Sequence, residues 1–199
     1  MDEIMRNIDL GMTFRALLGD ESECGDIGVI QEYDHQCFLA LIDVLGHGSE
    51  ARKIALSAKK YLKNNYRMDL TDMINGLHEH LKGTRGAVAA VCHLDILTGE
   101  LTYVGIGNIT VRIFGTKPTR LIPKDGTIGY RMRKPQKHRM KLYPGDTILM
   151  HSDGIKEHFD LINYVGLLRE NAGSIAARIL EYFWKKNDDA SCIVLKYSM

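Results

Sequence analysis

The amino-acid sequence predicts an α+β fold in which two antiparallel β-sheets pack as a sandwich with helices outside, an αββα arrangement. The first observation is the order of the predicted elements: several strands, two helices, several strands, two helices and one strand. A parallel βαβ protein would alternate single strands with helices instead. The second observation is composition, because 45% of the 199 residues are apolar and 26% are charged, as in globular chains. We expect residues 1–199 to form a single domain.

Charge and hydropathy exclude several classes of protein. The formal net charge is +1, so no strong electrostatic attraction to nucleic acid or to a membrane surface is expected. No apolar run approaches the roughly 20 residues that span a bilayer, and the first residues lack a signal-peptide pattern. The cysteines are scattered, without the Cys-x-x-Cys spacing of zinc sites. We therefore expect a reduced, cytoplasmic protein that binds neither nucleic acid nor membrane.

Apolar alternation and turn signals predict a meander of strands at the start of the chain. Three strands are predicted, over residues 8–18, 27–32 and 37–42. Asp34 and His35 form the turn between the second and the third. Two helices follow, over residues 49–66 and 70–81. Each has apolar residues on one face at helical spacing, and Asp69 or Thr71 caps the second.

Strand patterns return after Gly86 and alternate with turns to the end of the chain. Strands are predicted over residues 87–94, 101–105, 111–115, 147–150 and 190–197, and helices over 161–168 and 174–184. Gly105 and Gly107 lead into a strand, whereas the glycines of a dinucleotide-binding loop lead into a helix. We interpret them as positions of a bulge or of close backbone approach.

Four aspartates stand where predicted strands end or begin, each beside a glycine, a turn or another acid. They are Asp26, Asp43, Asp153 and Asp188. Carboxylates that lie close together do not all ionise unless a cation is present. Ligation by oxygen alone favours Mg²⁺ or Mn²⁺ over zinc, and two such ions about 4 Å apart can activate water and clamp a phosphoryl group. The alternative is an ordinary strand-to-helix turn in which Asp43 only accepts hydrogen bonds from the backbone.

The short motifs around these acids carry a resemblance to a known family. The motifs, in chain order, are Cys24-Gly25-Asp26, Asp43-Val44-Leu45-Gly46-His47-Gly48, Ser152-Asp153-Gly154 and Asp188-Asp189-Ala190-Ser191. Together they resemble the PPM family of metal-dependent serine/threonine phosphatases, and most closely its SpoIIE-like branch. Each motif is weak alone, but four in register cover nearly the whole chain. The stretches at residues 85–87 and 104–108 look like the single-domain stressosome members of that branch.

The resemblance implies a site with two Mn²⁺ or Mg²⁺ ions and a role for each matching residue. Asp43 would bridge both ions, and the main-chain carbonyl of Val44 would bind one of them. Asp153 and Asp188 would complete the shell of the first ion, while Asp26 would hold the second, directly or through water. Asp43 and Asp153 are the catalytic residues in this hypothesis. The neighbouring Asp189 would orient these ligands.

Two departures from the family pattern affect the hypothesis. Val44 stands where the family usually has glycine, and a β-branched residue would be strained if that position required a positive φ. Leu45 stands where larger members of the family carry a histidine proposed as general acid. His47 is the nearby alternative, although a histidine in a turn is more often a loop residue, and a metal-bound water is the other candidate proton donor.

The sequence therefore predicts a phosphoprotein phosphatase that hydrolyses phosphoserine or phosphothreonine by direct attack of a water bridging the two ions. By resemblance, its partners would be phosphorylated stressosome scaffold proteins or anti-sigma antagonist proteins. Two alternatives from other classes stay open. One is a metal-dependent phosphodiesterase or nuclease, and the other is a catalytically weak phosphoprotein-binding module, for which Val44 is the warning sign. The oligomeric state is not predicted.

The segment from Lys117 to Arg139 has the strongest local charge bias in the chain, with nine basic side chains among irregular, proline-punctuated residues. One interpretation is a solvated edge that keeps a sheet soluble. The other is a docking surface for an acidic or phosphorylated partner, since proline limits the entropy lost on docking.

Overall fold

The computed structural model describes residues 7–157, 159 and 166–198. Within this part of the chain there are twelve strands and three α-helices. The strands are β1 (Asn7–Arg15), β2 (Asp26–Tyr33), β3 (Gln36–Val44), β4 (Ala87–Asp95), β5 (Glu100–Ile106), β6 (Thr110–Phe114), β7 (Thr119–Leu121), β8 (Gly126–Thr127), β9 (Arg131–Met132), β10 (His138–Lys141), β11 (Thr147–His151) and β12 (Ala190–Ser198). The helices are α1 (Ser49–Asn65), α2 (Leu70–His80) and α3 (Ala172–Phe183).

Ten of these strands form two five-stranded antiparallel sheets. The first sheet has the order β1-β12-β11-β6-β7 and the second has the order β10-β5-β4-β3-β2. The remaining two, β8 and β9, pair with each other as a short ribbon. Helices α1 and α2 pack on the outer face of the second sheet, and α3 packs on the outer face of the first. The αββα sandwich of two antiparallel sheets is thereby confirmed.

Three apolar layers hold the sandwich together, because each sheet is covered on both faces. The central layer lies between the sheets and contains residues such as Leu39, Tyr103 and Ile148. A second layer joins α1 and α2 to the second sheet, and a third joins α3 to the first sheet. This explains why strands β3 and β4 are apolar at successive positions rather than alternating: both of their faces are buried.

Local signals in the sequence agree with the turns and caps of the structure. Asp34 and His35 have φ of 44° and 61°, the left-handed conformation that a two-residue hairpin turn requires. The Asp69 carboxylate caps α2 by accepting a hydrogen bond from the Thr71 amide at 2.9 Å. Gly107 has φ of 97°, and a Cβ atom there would lie 2.1 Å from the Val88 side chain, so it is a position of close approach.

The structure corrects the interpretation of residues 116–140 as an irregular segment. This segment contains β7, the β8–β9 ribbon and the start of β10, and two of these strands form the edges of the two sheets. Strands β7, β9 and β10 are two to four residues long and charged, so they lack the apolar alternation that reveals a longer strand. Charge on an edge strand also disfavours pairing with another chain.

Two further expectations concern the ends of this description. The helix predicted over residues 161–168 falls largely outside the described residues, and its last two positions belong to the short 3-10 helix Leu167–Arg169. The helix predicted over 174–184 corresponds to α3, which begins two residues earlier after its cap Asn171. In the part of the chain that the structure describes, no helix has the length and apolar character needed to cross a membrane.

Candidate active site

Antiparallel pairing brings Asp26 and Asp43 side by side at one end of the second sheet. Asp26 opens β2 and Asp43 is the penultimate residue of β3, and the two are direct partners in the register. On its other side Asp43 pairs with Val88 in β4, so its position is fixed from both neighbours. The residue register, set by apolar residues on both faces, therefore determines the distance between these two acids.

The first sheet supplies Asp153 and Asp188 from the turns at the ends of two neighbouring strands. Asp153 lies two residues after the end of β11, and Asp188 lies two residues before the start of β12. The Ser152 amide donates to the Ser191 carbonyl at 3.2 Å, and the Ser191 amide donates to the Ser152 hydroxyl at 2.9 Å. These bonds extend the β11–β12 pairing into the turns and hold the two acids at the same sheet end.

Mutual repulsion shows that the acids of both sheets share one region. The pKa of Asp43 lies well above its usual value, first because burial disfavours its charge and then because Asp26, Asp153, Asp188 and Asp189 are nearby. Burial likewise raises the pKa of Asp26 to about 7, with further increases from Asp189 and Asp188. The nearby Ser152 and Ser191 hydroxyls act in the opposite direction and lower the pKa of Asp26. Without a cation, burial and the neighbouring acids therefore oppose ionisation of both carboxyl groups.

The carboxylate oxygens at this site are of the chemical type that binds a hard divalent cation. The Oδ2 atom of Asp26 is buried and has no hydrogen-bond partner among the described residues, and such an acceptor is costly unless a cation or a donor reaches it. Oxygen ligands of this kind suit Mg²⁺ or Mn²⁺. Within the described part of the chain, however, no group of three or more His, Cys, Asp and Glu side chains is arranged to hold a metal ion as it stands.

Asp153 and Asp188 lie at the more open side of this region. The Oδ2 atom of Asp153 accepts a hydrogen bond from the Asn108 amide group at 2.8 Å. Burial raises the pKa of Asp188, and Asp153 and Asp189 raise it further, whereas a positive charge on His47 acts in the opposite direction. His47 is exposed and lies between two glycines that have positive φ, Gly46 and Gly48. The structure therefore brings His47 toward the acids, as the sequence motif suggested.

Asp189 has a specific structural task beside the candidate ligands. Its two carboxylate oxygens accept hydrogen bonds from the Leu17 amide at 2.8 Å and from the Gly25 amide at 2.6 Å. The side chain is buried, and its two contacts lie more than 160 positions away in the chain. Since Gly25 precedes Asp26, Asp189 fixes the loop that delivers Asp26 to the site.

The backbone conformation of Val44 removes the concern about strain. Val44 is the last residue of β3, its φ is not among the positive values in the described chain, and its side chain is buried in the layer under α1 and α2. A β-branched residue therefore causes no backbone strain at this position. The glycine that the geometry does require is Gly154, where a Cβ atom would lie 1.8 Å from the Asp189 carbonyl oxygen.

Sequence reasoning missed the contacts that orient the acids. Asn108 follows Gly107 in the turn between β5 and β6, and its amide group holds Asp153 from a position 45 residues away. Ser152 and Ser191 belong to the acidic motifs, but the sequence assigned them no role. In the structure they connect the end of β11 to β12 beside Asp26. The sequence signal for the contact between Asn108 and Asp153 is an asparagine that follows Gly107 in a turn and caps no helix.

Comparison with known proteins agrees with this geometry. The family model described as Stage II sporulation protein E (SpoIIE) matches residues 33–198. The "Phosphoserine phosphatase RsbX" of Bacillus subtilis (strain 168) is 27% identical over 138 residues, which are 68% of this chain and 69% of that protein.

Two solved structures are similar over nearly the whole chain. One, described as "The bacterial stressosome: a modular system that has been adapted to control secondary messenger signaling", has a TM-score of 0.88 and 30% identity, and the match covers 96% of this chain and 100% of that one. The other is RsbX in complex with magnesium, with a TM-score of 0.83, 22% identity and 96% of both chains covered.

The fold and the site thus define a class, that of the protein serine/threonine phosphatases of the PPM type. Within that class, the chain belongs to the SpoIIE family. The resemblance inferred from the four acidic motifs is confirmed. The roles of the individual residues stay predictions.

Proposed function

We propose that this chain, acting as one domain, is a phosphoprotein phosphatase that removes phosphate from serine or threonine with the help of two Mn²⁺ or Mg²⁺ ions. The observation that carries the proposal is the meeting of Asp26, Asp43, Asp153 and Asp188 at one end of the sandwich with raised pKa values on three of the four. Carboxylates are kept together in this way at sites that bind cations or transfer protons. The magnesium in the RsbX structure supports the first of these two possibilities.

Five residues would hold the ions in this proposal. Asp43 would bridge them, the Val44 carbonyl, Asp153 and Asp188 would complete one shell, and Asp26 would hold the other ion. Bound ions would supply activation of a water molecule and neutralisation of charge on the phosphoryl oxygens. The chain itself would fix the direction of Asp43 through both neighbouring strands, orient Asp153 through Asn108, and hold Asp26 through the loop that Asp189 anchors.

His47 is the residue of this chain best placed to handle the proton of the leaving serine. It lies in the turn that directly follows Asp43 and Val44, it is exposed, and a positive charge on it would lower the pKa of Asp188. The position that larger family members fill with histidine is Leu45, which is 43% exposed and has no proton to give. Replacing His47 with Gln would therefore lower turnover of substrates with a poor leaving group more than turnover of an aryl phosphate.

The substrates in this proposal are phosphorylated stressosome scaffold proteins. Two observations support them, the name of RsbX as a phosphoserine phosphatase and the stressosome structure that the chain matches at 30% identity. A free anti-sigma antagonist protein is the alternative substrate. A catalytically weak phosphoprotein-binding module is the alternative from another class of protein.

Phosphate release separates these candidates. The purified protein would be incubated with a phosphoserine protein in the presence of Mn²⁺, of Mg²⁺ or of EDTA, and with a phosphate diester in parallel. The proposal expects phosphate release that requires a divalent ion and no cleavage of the diester. Diester cleavage would identify a phosphodiesterase, and metal-dependent binding of phosphoprotein without release would identify the binding module.

A further inference from the structure

A polar cleft of about 310 Å³ opens directly beside Asp153. The turn between β5 and β6 forms one wall, and β7 with the following proline forms another. The end of β11 and the residue Lys185 close the remaining sides. The lining residues with polar side chains are Asn108, Thr110, Arg120, His151, Asp153, Glu157 and Lys185. Because Asp153 lines this cleft and also belongs to the acid cluster, the cleft adjoins the place where a phosphoryl group would be held.

The wall of the cleft contains a buried hydrogen-bond acceptor without a partner. His151 is 1% exposed, and its Nδ1 atom lies 2.9 Å from the Ser152 carbonyl, so Nδ1 carries the proton and donates. Nε2 then has a lone pair, and no partner for it exists among the described residues. A donor such as a peptide N–H or a hydroxyl group satisfies this atom, whereas a bare anion does not.

Two basic residues stand at the mouth of the cleft. Arg120 forms an ion pair with Glu157, and this contact uses one of the several N–H donors of the guanidinium group. Lys185 is exposed, its backbone amide is held by the Gly154 carbonyl at 2.8 Å, and its ammonium group forms no ion pair within the described residues. With Glu157 paired to Arg120, Lys185 is the basic lining residue that is available to a carboxylate of a bound molecule.

We propose that this cleft binds the peptide segment next to the phosphorylated residue of the substrate, and that it selects an acidic side chain there through Lys185 and Arg120. Such a segment supplies backbone N–H donors for His151 and a carboxylate for Lys185 and Arg120. This inference rests on the proposed phosphatase function and adds a substrate preference to it. A surface outside the phosphate site is needed for any such preference, because one phosphoryl group identifies no protein.

Binding of non-hydrolysable peptides tests the preference without relying on turnover. Three fluorescent peptides would carry a serine phosphonate, with aspartates before it, with aspartates after it, or with asparagines at all these positions. Anisotropy would be measured with the full chain in Mn²⁺. We expect one of the acidic peptides to bind about tenfold more tightly than the neutral one, which corresponds to about 1.4 kcal/mol.

Neighbouring lysines provide a matched pair of variants. Lys185→Glu is expected to reduce the tenfold preference to about onefold, whereas Lys186→Glu changes the net charge equally without touching the cleft and is expected to preserve it. Equal binding of all three peptides, or a preference that survives Lys185→Glu, overturns the inference. Metal-dependent release of phosphate with no peptide preference overturns only the cleft, whereas the absence of both release and peptide binding removes the phosphatase proposal as well.

Discussion

At the scale of single residues, substitution of Asp43 tests whether this residue binds metal or only supports the fold. In the metal-free protein its charge is opposed by burial and by four neighbouring acids. Asp43→Asn is therefore expected to keep the melting temperature at pH 8 or raise it, while Mn²⁺ binding measured by calorimetry is lost. The loss of a shared ligand should lower phosphate release about a thousandfold, or roughly 4 kcal/mol.

The control for this change lies at the other end of the same hairpin. Asp34 is an exposed turn residue with φ of 44°, a conformation that asparagine adopts readily. Asp34→Asn should leave Mn²⁺ binding and phosphate release unchanged. Full metal-dependent activity in Asp43→Asn would remove the bridging role.

Asp26 makes the stability of the metal-free protein depend on pH in an unusual direction. Its pKa is about 7 in the folded protein against 3.8 in a free side chain, so the folded state keeps a proton that the unfolded chain releases. The contribution of this group to stability is therefore present at pH 4 and is lost as the pH rises toward 7, by roughly 1 kcal/mol per pH unit. Asp26→Asn has no such proton to lose.

The expected result in EDTA is a difference in melting temperature, Asp26→Asn minus the natural protein, that grows between pH 5 and pH 8. Taking the difference removes the contribution of His151, whose pKa burial lowers to about 4 and which acts in the opposite direction. A difference that stays constant over this range would mean that Asp26 titrates normally.

Val44 is predicted to matter for packing rather than for strain. Its side chain is buried under α1 and α2, so Val44→Gly removes apolar contact and adds backbone freedom, at a cost of about 2–4 kcal/mol in unfolding free energy. Activity per folded molecule should change less than tenfold, because the carbonyl is retained. Chemical denaturation measures the first effect and phosphate release the second. A gain in activity above a hundredfold would instead identify the natural protein as a weakened enzyme.

At the scale of elements, the loop between β1 and β2 is tied to the start of β12 by Asp189. Replacing this residue with Asn keeps one acceptor oxygen and turns an amide group toward the second N–H, which costs about 1–3 kcal/mol. Because Gly25 is one of the two donors, Asp26 loses its fixed direction. We expect Asp189→Asn to weaken Mn²⁺ affinity and raise the metal concentration needed for half-maximal activity, with a smaller change at saturating metal. Equal losses at all metal concentrations would contradict a positioning role.

Elements with strong local signals were predictable, and elements that depend on distant contacts were not. The hairpin of β2 and β3 was visible because Asp34-His35 interrupts two apolar runs, and the helices α1 and α2 because their apolar faces repeat at helical spacing. The strands β7 to β10 were missed because neither length nor alternation marks them. The acids of the site could be selected through short motifs, whereas the bond from Asn108 to Asp153 joins positions with no local relation.

At the scale of the whole molecule, exposed basic residues between 117 and 141 lie at both ends of the sandwich. The β8–β9 ribbon lies at the end that carries the acids, because Ile128 pairs with Ala87 and Ala87 pairs with Val44. Arg131, Arg133 and Lys134 are exposed there. The opposite end carries Lys117 against the Tyr143 ring and the exposed β10 residues Arg139 and Lys141, since Lys141 pairs with Glu100 at the start of β5.

This division turns the docking hypothesis into a comparison between two triple variants of equal charge. Reversal of Arg131, Arg133 and Lys134 to Glu at the acid-bearing end should lower kcat/KM on an acidic phosphoprotein about tenfold at low salt. Reversal of Lys117, Arg139 and Lys141 at the far end should lower it much less. The difference should shrink as salt rises, because exposed charges are screened within about 10 Å at 0.1 M. Turnover of a small aryl phosphate should barely change in either variant. Equal effects of the two triples would show that net charge, rather than a docking surface, guides the partner.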